Sequence, residues 1–174
     1  MELLELMKNR RSVRQFTGER VPDEKLEKVV QAALLAVSGR AVRPWELIVV
    51  RDHEMIQKLS GCRPGVNKTI AGADVAVVVA ADPEKTGTWV EDCSAAMANM
   101  YLMAEEQGVG GCWIQCRERE TPDGGNTEEY LCGLLDIPAG YRVLAMFVFG
   151  VPASHPAAYE LDQLKTEKVH YEKF

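Results

Sequence analysis

The chain has 174 residues, 47% of them hydrophobic and 26% charged, which is enough for one globular domain with a sizeable core. Its 20 Lys and Arg residues against 26 Asp and Glu residues give a formal charge of -6, and a field of that sign repels nucleic-acid phosphates and anionic lipid. The longest apolar runs fall well short of the roughly 18 residues that cross a bilayer. Composition therefore argues against a nucleic-acid partner and against a membrane segment.

No repeat, low-complexity tract or flexible linker divides the chain, so we expect residues 1–174 to form a single domain. The five cysteines are an odd number without paired spacing. The first residues run directly into an amphipathic segment and not into an apolar signal core. These features predict a reducing, cytoplasmic setting.

Hydrophobic periodicity predicts helices and strands in alternation along most of the chain. In chain order we expect a short helix over 3–7, a helix from 22 to about 38, a strand over 45–50, a helix over 54–60, a loop with one helical turn over 61–72, a strand over 74–81, a long helix over 88–107, a strand over 112–115, a helix over 127–135 and a strand over 143–150.

The second helix and the C-terminal tail carry further expectations. The second helix begins with a proline and two acids, as the helix dipole favours, and its predicted buried face is Leu26, Val29, Val30, Ala33, Leu34 and Val37. The tail over 152–174 has little periodicity, so it is either disordered or laid across a partner.

A basic segment follows the first helix. Residues 8–14 contain four cations and no acid, which leaves the rest of the chain at -10. Arg10, Arg11 and Arg14 could simply complement the carbonyl end of the helix. Three guanidiniums and the hydroxyl of Ser12 are also the donors that a phosphate monoester requires. Composition alone leaves both interpretations open.

The run Arg10-Arg11-Ser12-Val13-Arg14-Gln15-Phe16 resembles the opening motif of the nitroreductase-like flavin oxidoreductases. Three further segments agree with that family in order and spacing. They are 38–50 with Arg43-Pro44-Trp45-Glu46 at its centre, the glycine-rich turn and strand over 108–115, and the closing Val169-His170-Tyr171-Glu172. The similarity covers nearly the whole chain.

The resemblance implies an α+β nitroreductase-like fold with a central mixed β-sheet flanked by helices. It also implies a homodimer whose C-terminal tail wraps the partner, with two FMN molecules in clefts built from both chains. By the same resemblance the FMN phosphate is held by Arg and Ser side chains of the opening motif, and a backbone N–H after the glycines bonds flavin N5. The implied FMN-binding residues are Arg10, Arg11, Ser12, Arg14, Ser38, Arg43, Pro44, Trp45, Asn67, Lys68, Trp113, Ile114 and Gln115.

The sequence departs from the family at several positions. Ala41 and Arg43 stand where many members have amides before Pro-Trp, and Val37 stands where they have a proline. Residues 159–164 hold no basic side chain for the phosphate, so Lys165 and Lys168 are the candidates to replace it. These departures affect the expected FMN affinity and pose more than the expected fold.

As the resemblance implies, we expect an FMN-dependent oxidoreductase with NADH or NADPH as donor and nitroaromatics, quinones or related small molecules as acceptors. Hydride would pass through flavin N5 in a ping-pong cycle, with no catalytic side chain. Arg14 and Lys68 are candidates for a cation near flavin N1 and O2. The alternatives are a flavin-binding protein without turnover and a dimeric structural protein whose arginines cap a helix. Cys112 and Cys116 are interpreted as buried free thiols and not as a metal site.

Overall fold

The structure is a computed structural model and describes residues 2–174. The helices are α1 (Leu3–Asn9), α2 (Asp23–Leu34), α3 (His53–Leu59), α4 (Asn67–Ala71), α5 (Trp89–Glu106) and α6 (Thr127–Leu134). The strands are β1 (Trp45–Val50), β2 (Val75–Ala81), β3 (Gly110–Gln115) and β4 (Arg142–Gly150).

The four strands form one sheet in the order β1-β2-β4-β3, and each neighbouring pair is antiparallel. Every residue of β2 is buried, which explains why its sequence is a continuous apolar run without alternation. The predicted α+β architecture is confirmed. Parallel pairing, which a mixed sheet requires, is limited among the described residues to the isolated bridge between Ser12 and Gly111.

Helices cover both faces of the sheet. Odd-numbered residues of β2, such as Val77, belong to the core that also holds Val29 of α2 and Met97 of α5. Even-numbered residues, such as Val78, belong to a second core with residues of α3, α4 and α6. The period of two along the strand thus divides the interior into two layers.

The prediction for the second helix was wrong at its C-terminal end. The helix ends at Leu34 and not near residue 38, and Leu34 and Val37 are 51% and 79% exposed, so they do not belong to the buried face. Leu35 is 82% exposed. It shares an apolar groove of about 300 Å³ with Leu3 of α1 and Leu102 of α5. Periodicity placed Leu34 and Val37 on the buried face because both side chains are apolar, whereas the structure leaves both exposed.

Two further features complete the fold. The tail continues from β4 along the N-terminal segment, is exposed at nearly every position from residue 153 onwards, and forms two short helical turns, Leu161–Gln163 and Thr166–Lys168. Across residues 2–174, no helix has both the length and the apolar character to cross a membrane.

Candidate functional site

Tyr101 of α5 is the centre of a cluster that joins three parts of the chain. Its hydroxyl accepts a hydrogen bond from the backbone N–H of Trp113 at 2.7 Å and shares one with the hydroxyl of Ser12 at 3.1 Å. The guanidinium carbon of Arg10 lies 5.0 Å from the centroid of the Tyr101 ring. Burial raises the pKa of Tyr101, so its hydroxyl stays protonated at neutral pH. The sequence analysis did not single out Tyr101 and missed this role.

A recess of about 360 Å³ lies beside this cluster. It is lined by Arg10, Ala98, Tyr101, Leu102 and Trp113. Most of this lining is apolar or aromatic, while one cation stands at its edge. Such a surface suits a flat aromatic group that carries a negative charge at one end.

The backbone of β3 shows which of its groups face away from the sheet. Trp113 donates its N–H to Tyr101, and the carbonyl of Gln115 accepts a hydrogen bond from Arg63 at 3.2 Å. Since antiparallel pairs alternate, the intervening Ile114 makes its backbone bonds to Met146 of β4. The Ile114 side chain is buried in the second core, away from the recess. The N–H of Gln115 therefore points away from β4, at the edge of the sheet, in the same direction as the Gln115 carbonyl.

The side chain of Gln115 is also held in place. Its Oε1 accepts a hydrogen bond from the indole Nε1–H of Trp113 at 3.0 Å. Its Nε2 donates to the carbonyl of Arg117 at 3.2 Å. These two bonds fix the indole and the amide relative to each other at the edge of the recess.

Arg10 is the C-cap residue of α1, since its backbone N–H donates to the Leu6 carbonyl at 2.9 Å, but the side chains of Arg10, Arg11 and Arg14 contact other partners. Arg10 faces Tyr101, and Arg14 donates from Nη1 to the carbonyl of Ser12 at 3.4 Å. Arg14 also lies near Cys112, where burial raises the pKa of the thiol and the guanidinium lowers it in part. Arg11 instead donates to the carbonyl of Ala157 in the tail. The capping interpretation therefore finds no support in the side-chain contacts.

The cations around the recess are not neutralised by carboxylates. Within the described part of the chain, no ion pair up to 4.0 Å involves Arg10, Arg14 or Arg63, whereas Arg51, Arg117 and Arg142 all have acidic partners. A protein with a net charge of -6 thus keeps a group of unpaired cations beside an apolar recess. This charge pattern fits a bound phosphate ester.

The loop before β1 lies elsewhere on α5. The hydroxyl of Ser38 accepts the N–H of Arg43 at 2.9 Å, and the Gly39 N–H donates to Asp92 at 2.8 Å. Pro44 and Trp45 are buried behind it. Tyr101 is nine residues further along the helix, which is roughly 13 Å at the usual rise per residue. A single chain does not bring this loop to the recess.

The remaining candidates lie on α4. Asn67 donates its side-chain amide to the carbonyl of Ser60 at 2.8 Å, so this group already has a structural bond. Lys68 is exposed. Arg63, which sequence analysis did not single out, contacts Gln115 directly and is the better placed cation. A basic residue in a loop gives no signal of its own in the sequence.

Comparison with known proteins finds relatives that match this chain along nearly its whole length. A relative from Archaeoglobus fulgidus with the provisional name NADH dehydrogenase/NAD(P)H nitroreductase is 35% identical over 178 residues, which cover 99% of both chains. The solved structure of an FMN-dependent nitroreductase from Clostridium difficile R20291 superposes with a TM-score of 0.95 at 38% identity, over 98% of this chain and 99% of that one. A nitroreductase in complex with FMN from Desulfovibrio desulfuricans gives 0.81 at 25% identity, over 100% and 98%.

The model of the Nitroreductase family matches residues 7–62 and 63–151, which span the basic segment, the sheet and the helices that carry the recess. With more than half of the sequence matched and a relative above 30% identity along its full length, the assignment rests on sequence and structure together. This chain belongs to the nitroreductase family.

Proposed function

We propose that the chain is an FMN-dependent NAD(P)H oxidoreductase that reduces nitroaromatics, quinones or related small acceptors in a ping-pong cycle. The main observation behind the proposal is that cations without carboxylate partners lie beside an apolar, aromatic recess at Tyr101. Support also comes from the FMN-dependent relative in Clostridium difficile and from the NAD(P)H-named relative in Archaeoglobus fulgidus. The cytoplasmic location remains a prediction from the sequence.

The residues present fit FMN. Arg10, Ser12 and Arg14 would hold the phosphate, since charge-assisted hydrogen bonds are worth about 1.5–3 kcal/mol each. The apolar lining beside them would receive the ring. When bound, FMN supplies the redox chemistry by accepting hydride from the nicotinamide and passing electrons to the acceptor. The protein supplies position and charge.

Among Trp113, Ile114 and Gln115, the best placed hydrogen-bond donor for the ring is the N–H of Gln115. The N–H of Trp113 is bonded to Tyr101, and Ile114 is paired with β4. The guanidinium of Arg63 donates a hydrogen bond to the Gln115 carbonyl, so it places positive charge next to the Gln115 N–H. We propose Arg63 as the cation that favours the electron-rich form of the cofactor.

We also propose that the active form is a homodimer in which the loop over 38–45 of one chain completes the recess of the other. The loop lies about 13 Å along α5 from Tyr101 in its own chain, so it needs a second chain to take part. The exposed apolar groove that holds Leu3 and Leu35 shares Leu102 with the recess, and a partner seated on it would cover its apolar side chains. The exposed tail would extend over the same partner.

The test is an absorption spectrum of the purified protein before and after anaerobic addition of NADH or NADPH. We expect a flavin spectrum that bleaches on addition of the donor and recovers with a quinone or nitroaromatic. Arg14→Gln should weaken FMN binding about tenfold or more, because one charge-assisted bond is lost. Lys28→Gln, which changes an exposed cation on α2, is the matched control and should bind FMN as the unchanged protein does. Protein that stays colourless in a flavin titration would contradict the proposal.

A second candidate is a flavin-binding protein without turnover. It is favoured by one observation: Ala41 gives the loop no amide side chain to contact a ring, although the recess and its cations are present. This candidate predicts bound flavin that neither NADH nor NADPH reduces. Rapid bleaching in the anaerobic experiment would exclude it.

A further inference from the structure

The first part of the C-terminal tail runs antiparallel to the N-terminal basic segment. The N–H of Thr17 donates to the carbonyl of Val151 at 2.9 Å, and the N–H of Ala153 donates to the carbonyl of Gln15 at 3.0 Å. The N–H of Tyr159 then donates to the carbonyl of Lys8 at 3.0 Å. The two segments therefore form an irregular ribbon that starts at the end of β4.

Arg11 makes two side-chain contacts across this ribbon. Its guanidinium donates to the carbonyl of Ala157, and its central carbon lies 4.3 Å from the centroid of the Tyr159 ring. A planar guanidinium can stack on a ring and donate from its edge at the same time, which an ammonium cannot do. Both contacts are to the tail, and neither is to a residue of the recess.

Neighbouring side chains of the basic segment point the other way. Arg10 lies over Tyr101, and Ser12 bonds the Tyr101 hydroxyl. This alternation is what an extended backbone produces, since successive side chains face opposite sides. Two adjacent arginines that look equivalent in the sequence therefore serve different surfaces.

The contacts lie where the tail leaves the body of the protein. Residues 160–174 are exposed, and the apolar side chains of Leu161, Leu164 and Val169 are about half exposed or more. The hydrogen bond of Tyr159 to Lys8 is the nearest backbone bond before this exposed stretch. Loss of the bond between Tyr159 and Lys8 would therefore detach the start of the exposed residues 160–174 from the basic segment.

We propose that Arg11 and Tyr159 form a clamp that holds the start of the tail on the basic segment. Arg11 is then a positioning residue for the tail and not a ligand of the FMN phosphate. The clamp is a property of the single chain and does not depend on the proposed function. It separates the basic segment into a cofactor side, with Arg10, Ser12 and Arg14, and a tail side, with Arg11.

Amide hydrogen exchange tests the clamp, because the Tyr159 amide reports directly on the ribbon. In Arg11→Gln we expect the Tyr159 amide to exchange about tenfold faster, while the Thr17 amide at the other end of the ribbon is unchanged. Tyr159→Leu should have the same effect, and Tyr159→Phe, which keeps the ring, should not. The double variant Arg11→Gln/Tyr159→Leu should exchange no faster than either single variant, because both remove the same contact.

Arg14→Gln is the matched control in the same segment. It should leave the Tyr159 amide protected and weaken FMN binding, whereas Arg11→Gln should release the amide and keep FMN affinity within about threefold. An unchanged Tyr159 amide in Arg11→Gln would overturn the clamp, and a loss of FMN affinity equal to that of Arg14→Gln would overturn the assignment of Arg11 to the tail side alone. The exchange readout is taken without added flavin, so a failure of the proposed enzymatic function would not affect it.

Discussion

A single hydroxyl group holds the candidate site together at the residue scale. The Tyr101 oxygen connects α5, the edge strand β3 and the basic segment through two short hydrogen bonds. Because Tyr101 is buried, a donor that loses this oxygen is left without its partner, which costs about 1–3 kcal/mol. The Tyr101 hydroxyl therefore both stabilises the fold around β3 and holds Ser12 in position.

The variant Tyr101→Phe keeps the ring and removes only the oxygen. We expect the free energy of unfolding to fall by about 1–2 kcal/mol, since the Trp113 N–H is left without its partner. FMN binding should weaken several-fold because Ser12 is no longer held. Denaturant unfolding and flavin titration measure the two effects.

The control for this variant is Tyr130→Phe. The Tyr130 hydroxyl donates to the carbonyl of Lys58 at 2.8 Å, and neither residue lines the recess, so this variant removes one hydroxyl bond away from the site. It should leave flavin affinity unchanged. Equal flavin affinities in the two variants would show that the Tyr101 oxygen does not position the site.

At the scale of elements, the loop before β1 is held by the first turns of α5. The buried carboxylate of Asp92 accepts hydrogen bonds from the Gly39 N–H and from the Thr88 hydroxyl at 3.2 Å. Arg40, Ala41 and Arg43 all have positive φ angles, between 50° and 57°, which side-chain-bearing residues rarely adopt. The bonds to α5 offset this conformational cost, and they hold the loop in the shape that presents Arg40 and Arg43 to solvent.

Gly39→Ala should disturb this arrangement. A Cβ at residue 39 would lie 2.6 Å from the Thr88 hydroxyl oxygen, so the loop or the helix turn must move. We expect a loss of about 1–3 kcal/mol in the free energy of unfolding, measured by denaturant titration. Gly87→Ala, one residue before Thr88 and with nothing within 4 Å of its Cβ, is the control and should change stability far less. Similar losses in both variants would contradict the packing argument.

A second pair of elements is joined by an ion pair that depends on pH. Glu128 of α6 accepts two hydrogen bonds from Arg142 of β4, at 2.6 Å and 2.8 Å. Burial disfavours the charged form, but the bonds from Arg142 and from the Glu118 N–H outweigh it and hold the pKa of Glu128 below its usual value. A carboxyl with a lowered pKa stabilises the fold above its unfolded pKa, and this contribution is lost as pH falls through the folded pKa.

Arg142→Gln should therefore lower the free energy of unfolding by about 2 kcal/mol at neutral pH, because a buried carboxylate keeps its charge without its partner. The loss should shrink as pH falls through the lowered pKa of Glu128, because its carboxyl is then protonated in both proteins. Urea titrations between pH 3 and 7, roughly the range that brackets a carboxyl pKa, measure this difference. A loss that is the same at every pH would mean that Arg142 acts by packing and not by charge.

Sequence patterns predicted the buried elements well and the contacts of polar side chains poorly. The strand predicted over 45–50 is β1 with the same ends, and the helix predicted over 88–107 is α5 within one residue at each end. These elements are specified by burial, which periodicity records. The contact of Tyr101 with Ser12, the contact of Arg63 with Gln115 and the opposite directions of Arg10 and Arg11 depend on distant segments, and no local pattern encodes them.

For the whole molecule, the charge of -6 hides an uneven distribution. Outside residues 8–14 the formal charge is -10, while Arg10, Arg14 and Arg63 near the recess have no carboxylate partner among residues 2–174. A surface of this kind favours one small phosphate-bearing molecule and disfavours long polyanions. The exposed apolar residues of α1 and α2 form the other uneven feature, because their exposure costs stability unless another chain covers them.

Leu35→Glu tests whether a second copy covers the groove. Leu35 is 82% exposed in the single chain, so the substitution should change the stability of the monomer by no more than about 0.5 kcal/mol. In a dimer it would bury an unpaired carboxylate, which costs several kcal/mol. We therefore expect the variant to sediment as a monomer at concentrations where the unchanged protein sediments as a dimer, and to lose FMN if the partner's loop completes the recess.

The control, Ala139→Glu, places the same charge in an exposed loop on the opposite face of the sheet, next to Pro138 and Tyr141. It should sediment as the unchanged protein does, because that face is far from the groove. A Leu35→Glu variant that remains dimeric would show that the dimer interface does not include the groove at α1 and α2. If it were monomeric and still bound FMN with full affinity, one chain alone would form the cofactor site, and the loop over 38–45 would have no part in it.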